Sequence, residues 1–365
     1  MLSRLYTTMR SYDLMLLLAA VILCSFGFAA LYSIGLGKEP VNFGFLQKQL
    51  FVFGIFFPIA LIIAVINYRV FRAYCVVFYI AVCALLVALL FFGTTIRGTK
   101  GWLYFGSFAF QPAELAKIGL ILILARYFSS YTRQIGQFRH ILLSGLLAAL
   151  PIGLVFVQPD FGSAVVLVVI WLGMILMSGI PKRFLIFFAL AFFVATTCLW
   201  LFVFKEYQKQ RILTFLSPTA DVQGSGYNIR QAMIAIGSGQ IFGTGLGLGS
   251  QSHLKFLPEN QTDFIFSVFA EEMGLLGIFF LLFFWVLLFY RLTTGMRRAR
   301  DDFAVYALLG IMLMFFVHVI FNIGGNLGLV PLTGLVLPFM SYGGSALAAS
   351  LLAIGITQSI WMHSV

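Results

Sequence analysis

An all-α integral membrane fold, a polytopic bundle of about ten transmembrane helices, is what the sequence predicts, and three observations predict it. Hydrophobic residues fill 61% of the 365 positions and charged residues only 10%, with a mean hydropathy of +1.03; soluble domains do not have this composition. The apolar residues are gathered in runs of about 17–25, the length that an α-helix needs to cross ~30 Å of hydrocarbon. Most of the 23 Lys and Arg fall in alternate connections between those runs, as the positive-inside rule requires.

Taken in order, spans are expected at 13–33, 49–66, 71–92, 112–129, 140–157, 161–178, 183–204, 264–290, 303–324 and 339–362. The first begins after Arg10 and has no small-residue cleavage site, so it reads as a retained span rather than a removed signal peptide. Arg69, Arg72, Arg126, Arg133, Arg139, Lys182, Arg183, Arg291, Arg297, Arg298 and Arg300 fall on the side of the N-terminus, which is therefore expected in the cytoplasm together with the C-terminus. The formal charge of +11 is on this reading a topology signal facing anionic headgroups, and no nucleic-acid partner is expected. Cys24, Cys75, Cys83 and Cys198 lie in or beside spans without metal-ligand spacing, which argues against a disulfide or zinc framework. Short tails leave residues 1–365 as a single membrane domain.

Two external segments, 93–111 and 205–263, are too rich in Gly, Pro and polar residues to be plain connectors. The second is a large extracytoplasmic loop between spans seven and eight. Within it, residues 227–236 carry apolar residues partly at helical spacing, which predicts a short interfacial helix. The glycine-dense run at 237–249 contains neither GxxxxGK[ST] nor GxGxxG, so a nucleotide site is disfavoured. Near the C-terminus, Gly324, Gly325, Pro331, Pro338, Gly343 and Gly344 predict broken helices, tolerated at membrane depth where protein or a wet cavity satisfies the freed backbone.

The large loop ends in Asn260, Gln261, Thr262 and Asp263 directly against the apolar run 264–269. A carboxylate at the membrane rim can reach both water and a lipid-borne substrate; Asp263 or Thr262 could equally cap the following helix. Helical rotation of ~100° per residue brings Glu271 nearer than Glu272 to the Asp263 face, which makes Glu271 a cavity candidate. Pro112 suits a helix start, and Glu114 and Lys117 share a face of that helix, as a functional pair or as an internal ion pair. Asp160 reads first as an N-cap. Trp102 and Tyr104 have the character of interfacial anchors. The histidines His140, His253, His318 and His363 are scattered and read mostly as loop or packing residues.

The segments QPAELAK (111–117), QPDFG (158–162), GYNIRQAMIAIGSG (226–239), GTGLGLGSQSHLKFLPENQTDFIFSVFAEEMG (243–274) and NLGLVPLTGLVLPFMSYGGSA (326–346) closely resemble the SEDS family (shape, elongation, division and sporulation), in order along nearly the whole chain. The wording of GYNIRQAMIAIGSG and SQSHLKFLPE and the short tails resemble the branch that serves rod-shape elongation more than the septal branch. The resemblance implies a bacterial inner-membrane peptidoglycan glycosyltransferase that polymerises lipid II, with Asp263 as its catalytic acid residue. It also implies roles for Glu114, Lys117 and Trp102. The implied partners are lipid II, a class B penicillin-binding protein transpeptidase and other membrane proteins of the elongation complex.

The chemistry of sugar transfer from a lipid diphosphate is consistent with this. One carboxylate can take the acceptor hydroxyl proton, and a single inverting displacement needs no second carboxylate nucleophile. The departing diphosphate needs positive charge, for which Arg211, Arg230, Lys255 and Lys117 are candidates; a divalent cation, Mg or Mn, shared between Asp263 and phosphate is also chemically reasonable, while no cofactor is demanded. Two other classes compete: a flippase for the lipid-linked precursor, and a non-catalytic scaffold for a transpeptidase.

Overall fold

The computed structural model describes residues 12–364 apart from 39, 97–98, 107, 133–135, 254–256 and most of 182–224. Its elements are α1 (Leu14–Leu36), α2 (Gly44–Val65), α3 (Tyr68–Phe92), strands β1 (Thr94–Ile96), β2 (Thr99–Phe105) and β3 (Phe108–Phe110), α4 (Pro112–Ser130), α5 (Phe138–Val157), α6 (Phe161–Met177), α7 (Ser225–Ser238), α8 (Ser250–His253), α9 (Ile265–Arg298), α10 (Asp302–Asn326) and α11 (Gly344–Ser364).

Helices dominate because each satisfies its own backbone where no water is available. Seven of them are long and apolar enough to cross a membrane. The 17-residue α6 and the more charged α4, which carries Glu114, Lys117 and Arg126, occupy two further expected spans. The expected span at 183–204 lies mostly outside the described residues. The third helix from the C-terminal side is longer than its expected span: α9 runs for 34 residues to Arg298, beyond the expected end at 290.

Polar residues close the helix ends. The Asp13 carboxylate accepts from the Met15 and Leu16 amides at the start of α1 and pairs with Arg291 Nε at 2.8 Å. Asp301 likewise caps α10 and pairs with Arg72 at 3.1 Å. These two ion pairs tie distant helices together at one end of the bundle, the end that also carries Arg126, Arg297 and Arg298.

At the centre of the bundle, α4 packs against α3, α6 and α10, and α10 against α9. Both α10 and α11 are buried along most of their length, whereas α2, α3 and α9 present apolar side chains such as Ile62, Val77 and Phe279 outward. In a membrane protein that outward surface is solvated by lipid tails. Close helix approach depends on small residues: a Cβ at Gly355 of α11 would stand 2.8 Å from the Ala60 carbonyl oxygen of α2.

The other end of the bundle holds the irregular structure. Within residues 93–111 the three strands form an antiparallel sheet in the order β1-β2-β3, with Thr94 opposite Trp102 and Tyr104 opposite Ala109. This small sheet adds to the all-helical expectation, and it answers the suspicion that the segment is no plain connector. The helix expected at 227–236 is present as α7, packed on α9 and α10. Residues 327–343 are non-helical between α10 and α11, as the Gly and Pro positions lead one to expect.

Candidate functional site

The first element of the site is a turn. Residues 259–264 wind back on the Glu259 carbonyl, which accepts from the Thr262 amide at 3.1 Å and the Asp263 amide at 3.2 Å, so Asp263 precedes α9 without being part of it. Two asparagines one turn apart on α10 hold this turn by its backbone: Asn322 Nδ2 and Asn326 Nδ2 donate to the Asp263 carbonyl oxygen at 3.2 and 2.8 Å. From the non-helical segment, Ser341 Oγ donates to the Thr262 carbonyl at 2.8 Å and the Tyr342 amide to the Gln261 carbonyl at 2.8 Å. The carboxylate is thus carried on a backbone fixed from two sides, and it is itself half-buried. The helix that follows has Phe264 at its cap position with no side-chain cap bond.

Asp263 lines a cavity of about 480 Å³. Its walls come from α2 (Phe45, Lys48, Gln49), the sheet (Trp102, Tyr104), the start of α4 (Gln111, Glu114), the start of α6 (Asp160, Ser163), the turn at 261–263, and residues 331–336 and 342–346. All of these lie where α1, α3, α5 and α10 end and α2, α4, α6, α9 and α11 begin, which is one end of the bundle. The volume and the mixture of aromatic walls with a few polar groups suit a small-molecule or headgroup site.

Three sequence-derived candidates join Asp263 here. Trp102 is a wall residue, so β2 gives it a place in the cavity beyond that of an anchor. Asp160 caps α6 through the Ser163 amide at 3.0 Å, as expected, and also accepts from Gln111 Nε2 at 2.8 Å while facing the cavity. Burial pushes the Asp160 carboxyl above its ordinary value, with the Ser163 amide and hydroxyl pulling against it. Glu114 lines the cavity and receives Lys117 Nζ at 2.6 Å. Lys117 is fully buried behind it and is shared with His318 Nε2 at 3.0 Å.

His318, one of four histidines whose scatter suggests mostly loop or packing roles, lines the cavity and meets Lys117. Its Nδ1 contacts the Val336 carbonyl oxygen at 2.9 Å. A carbonyl can only accept and an ammonium can only donate, so Nδ1 carries the proton and Nε2 the lone pair, a neutral imidazole. His318 stands 201 positions from Lys117, and no local pattern could have paired them.

Glu271 is not in this cavity, contrary to the helical-rotation expectation. The fixed angle per residue does not hold across the turn at 259–264, and the Glu271 carboxylate meets α8 instead, accepting from the Gln251 amide at 2.8 Å. Arg230, on α7, is not among the lining residues either. Arg211 and Lys255 lie outside the described residues. Among the described residues the lining cation is Lys48, which sequence reasoning did not single out; its only local signal was a charge at the start of an apolar run.

Comparison with known proteins gives one answer. The FtsW/RodA/SpoVE family, described as cell cycle proteins, matches residues 13–365. The chain is 37% identical over 322 residues to the peptidoglycan glycosyltransferase MrdB of Escherichia coli K12, covering 88% of this chain and 87% of the relative. It is 34% identical over 363 residues to the probable peptidoglycan glycosyltransferase FtsW of Thiomicrospira cyclica, covering 96% and 92%. Among solved structures, it superposes with a TM-score of 0.80 and 31% identity on a chain from a peptidoglycan synthase complex that coordinates polymerization and crosslinking, covering 96% and 97%. The rod shape determining protein RodA of Thermus thermophilus gives a TM-score of 0.71 at 28% identity, over 96% of each chain. By sequence along almost its whole length and by fold, this chain belongs to the FtsW/RodA/SpoVE family.

Proposed function

We propose that the chain is a peptidoglycan glycosyltransferase that polymerises lipid II into glycan strands for rod-shape elongation, with Asp263 as general base. The observation that carries this reading is the Asp263 carboxylate on the wall of a cavity at the end of the bundle, on a backbone pinned by Asn322, Asn326 and Ser341. A base must be held within reach of the hydroxyl it deprotonates, and a fixed turn supplies that placement. As the new glycosidic bond forms at the anomeric carbon, the acceptor hydroxyl gives its proton to Asp263 and the sugar–oxygen bond to the lipid diphosphate breaks, in one inverting displacement.

Sidedness follows from charge. The end of the bundle bearing Arg72, Arg126, Arg297 and Arg298 is assigned to the cytoplasm of a bacterial inner membrane by the positive-inside rule, and the cavity then opens outside, where lipid II is consumed. A class B penicillin-binding protein transpeptidase is the proposed partner, supported by the likeness to a chain from a synthase complex that couples polymerization to crosslinking. Relatives of both the elongation and the septal type are similar to this chain; the fold likeness to RodA favours elongation.

Among the described residues no three His, Cys, Asp or Glu side chains gather as a metal cage. A divalent cation, Mg or Mn, would therefore bind as magnesium commonly does, through one or two carboxylates such as Asp263, completing its shell with phosphate and water. Its chemical contribution would be to neutralise the departing diphosphate.

Purified, folded Asp263→Asn protein is expected to polymerise lipid II at least about 100-fold more slowly than wild type, the scale of a lost general base. Turnover near that of wild type would overturn the assignment of Asp263 as general base, and absence of turnover in purified wild type would favour the scaffold reading. A flippase, by contrast, would make no glycan from lipid II supplied in detergent, where there is no second leaflet.

A further inference from the structure

We infer that Lys48 is the cation with which the cavity receives the diphosphate of the polyprenyl-linked sugar, an inference that rests on the glycosyltransferase reading. The lining carboxylates are Glu114, Asp160 and Asp263. Glu114 is neutralised by Lys117 at 2.6 Å, and Asp160 is occupied by Ser163 and Gln111, but a diphosphate entering this space still meets acidic walls. Lys117, fully buried behind Glu114, is not among the lining residues. Lys48 is among them, exposed on α2 and with no ion pair among the described residues.

The position of Lys48 is fixed although its ammonium is free to reach. Its neighbour Gln49 is buried and clamps α2 to the start of α11, with Nε2 donating to the Ser341 carbonyl at 3.0 Å and Oε1 accepting from the Gly343 amide at 3.2 Å. One turn along α2 from Lys48, Val52 lies 3.3 Å from where a Cβ on Gly344 would be. Lys48 is therefore carried on a segment clamped to the one that buttresses Thr262 through Ser341, and it lines the same cavity as Asp263.

Depth agrees as well. Lys48 lies one turn from Phe45 and shares the cavity with Trp102 and Tyr104, the side-chain types that settle at the headgroup level of a bilayer. A polyprenyl diphosphate has its tail in hydrocarbon and its charges at that same level. A lysine there is a compact, mobile point charge of the kind that binds phosphate without demanding a fixed bidentate geometry.

Farnesyl diphosphate, added to protein in phosphatidylcholine nanodiscs, is the probe. Binding is measured on the folded Asp263→Asn protein, so the readout does not depend on turnover, and lipid II polymerisation is measured in the Asp263 background. Lys48→Gln is expected to weaken probe binding about tenfold, the worth of one charge-assisted hydrogen bond, and to raise KM for lipid II by a similar factor with kcat changed less than about threefold. Lys48→Arg is expected to stay within about threefold of wild type in both measurements. Unchanged probe binding by Lys48→Gln overturns the inference, and so does equal loss in Lys48→Gln and Lys48→Arg. Displacement of the probe from wild type by phosphatidylglycerol as effectively as by inorganic pyrophosphate also overturns it, because Lys48 would then be reading a phospholipid headgroup. Failure of the wild-type protein to polymerise lipid II, with probe binding intact, would instead count against the enzymatic reading and leave the diphosphate site standing.

Discussion

A lysine ammonium without access to water needs acceptors, and Lys117 has two, Glu114 Oε1 at 2.6 Å and His318 Nε2 at 3.0 Å. Both are lone pairs, so the order of charges in this chain matters as well as their sum. Lys117→Met leaves the Glu114 carboxylate buried without its counter-ion and is expected to cost about 3–5 kcal/mol of stability, read as a lowered thermal unfolding midpoint in detergent. Exchanging the pair, with Glu114→Lys and Lys117→Glu together, sets a carboxylate against the His318 lone pair, two acceptors with no proton between them. The exchanged protein is therefore expected to recover less than about a tenth of lipid II polymerisation. Full recovery would show that Glu114 and Lys117 are only an internal ion pair. The i, i+3 spacing on α4 was legible in sequence; the third partner was not, because it arrives from α10.

At the scale of the element, α9 is the most informative helix because it is broken. Gly274 has φ 64 and ψ −165 inside it, a region open to glycine and hardly to any other residue. The glycine loop before α8 docks into the break: the Thr244 and Gly245 amides donate to the Glu271 and Glu272 carbonyls at 3.0 and 3.1 Å, and the Leu275 and Leu276 amides to the Gln240 and Ile241 carbonyls at 2.8 and 3.1 Å. The backbone groups freed by the break are thus satisfied by protein, the condition for non-helical structure at membrane depth. Gly274→Ala would place a Cβ 2.3 Å from the Gly243 nitrogen. A loss of about 1–3 kcal/mol is expected from the backbone conformation alone, visible as a lower unfolding midpoint, whereas Gly237→Ala, with open space around it, should leave the midpoint close to wild type. The glycine density of 237–249 was plain in sequence, but its purpose was not. Gly239, Gly243 and Gly274 let two backbones meet.

At the scale of the whole molecule, charge and polarity are sorted to opposite ends of one bundle. Arginines and the Asp13–Arg291 and Asp301–Arg72 pairs mark one end, and the cavity with its sheet and pinned turn marks the other. If the arginine end faces the cytoplasm, a cysteine at exposed Thr94 should react with a membrane-impermeant thiol reagent added to intact spheroplasts, and one at exposed Arg297 should not. The reverse labelling pattern would place the cavity inside the cell and remove lipid II polymerisation from consideration. Native Cys24, Cys75 and Cys83 are buried, which keeps their background low.

The helical membrane fold, the position of most of its spans and the place of Asp263 at the rim of one of them were written in the sequence, because burial in lipid demands long apolar runs and a charge at the end of one stands out against them. The three-stranded sheet at 94–110, the pairing of Lys117 with His318, the asparagine clamp on the Asp263 carbonyl and the place of Lys48 on the cavity wall were decided by tertiary structure alone. Each depends on groups brought together from segments far apart in the chain, and a hydrogen bond or a shared wall leaves no periodicity in either of the segments that make it. Glu271 shows the same limit from the other side: helical rotation is a local rule, and one turn of non-helical backbone was enough to direct its carboxylate elsewhere.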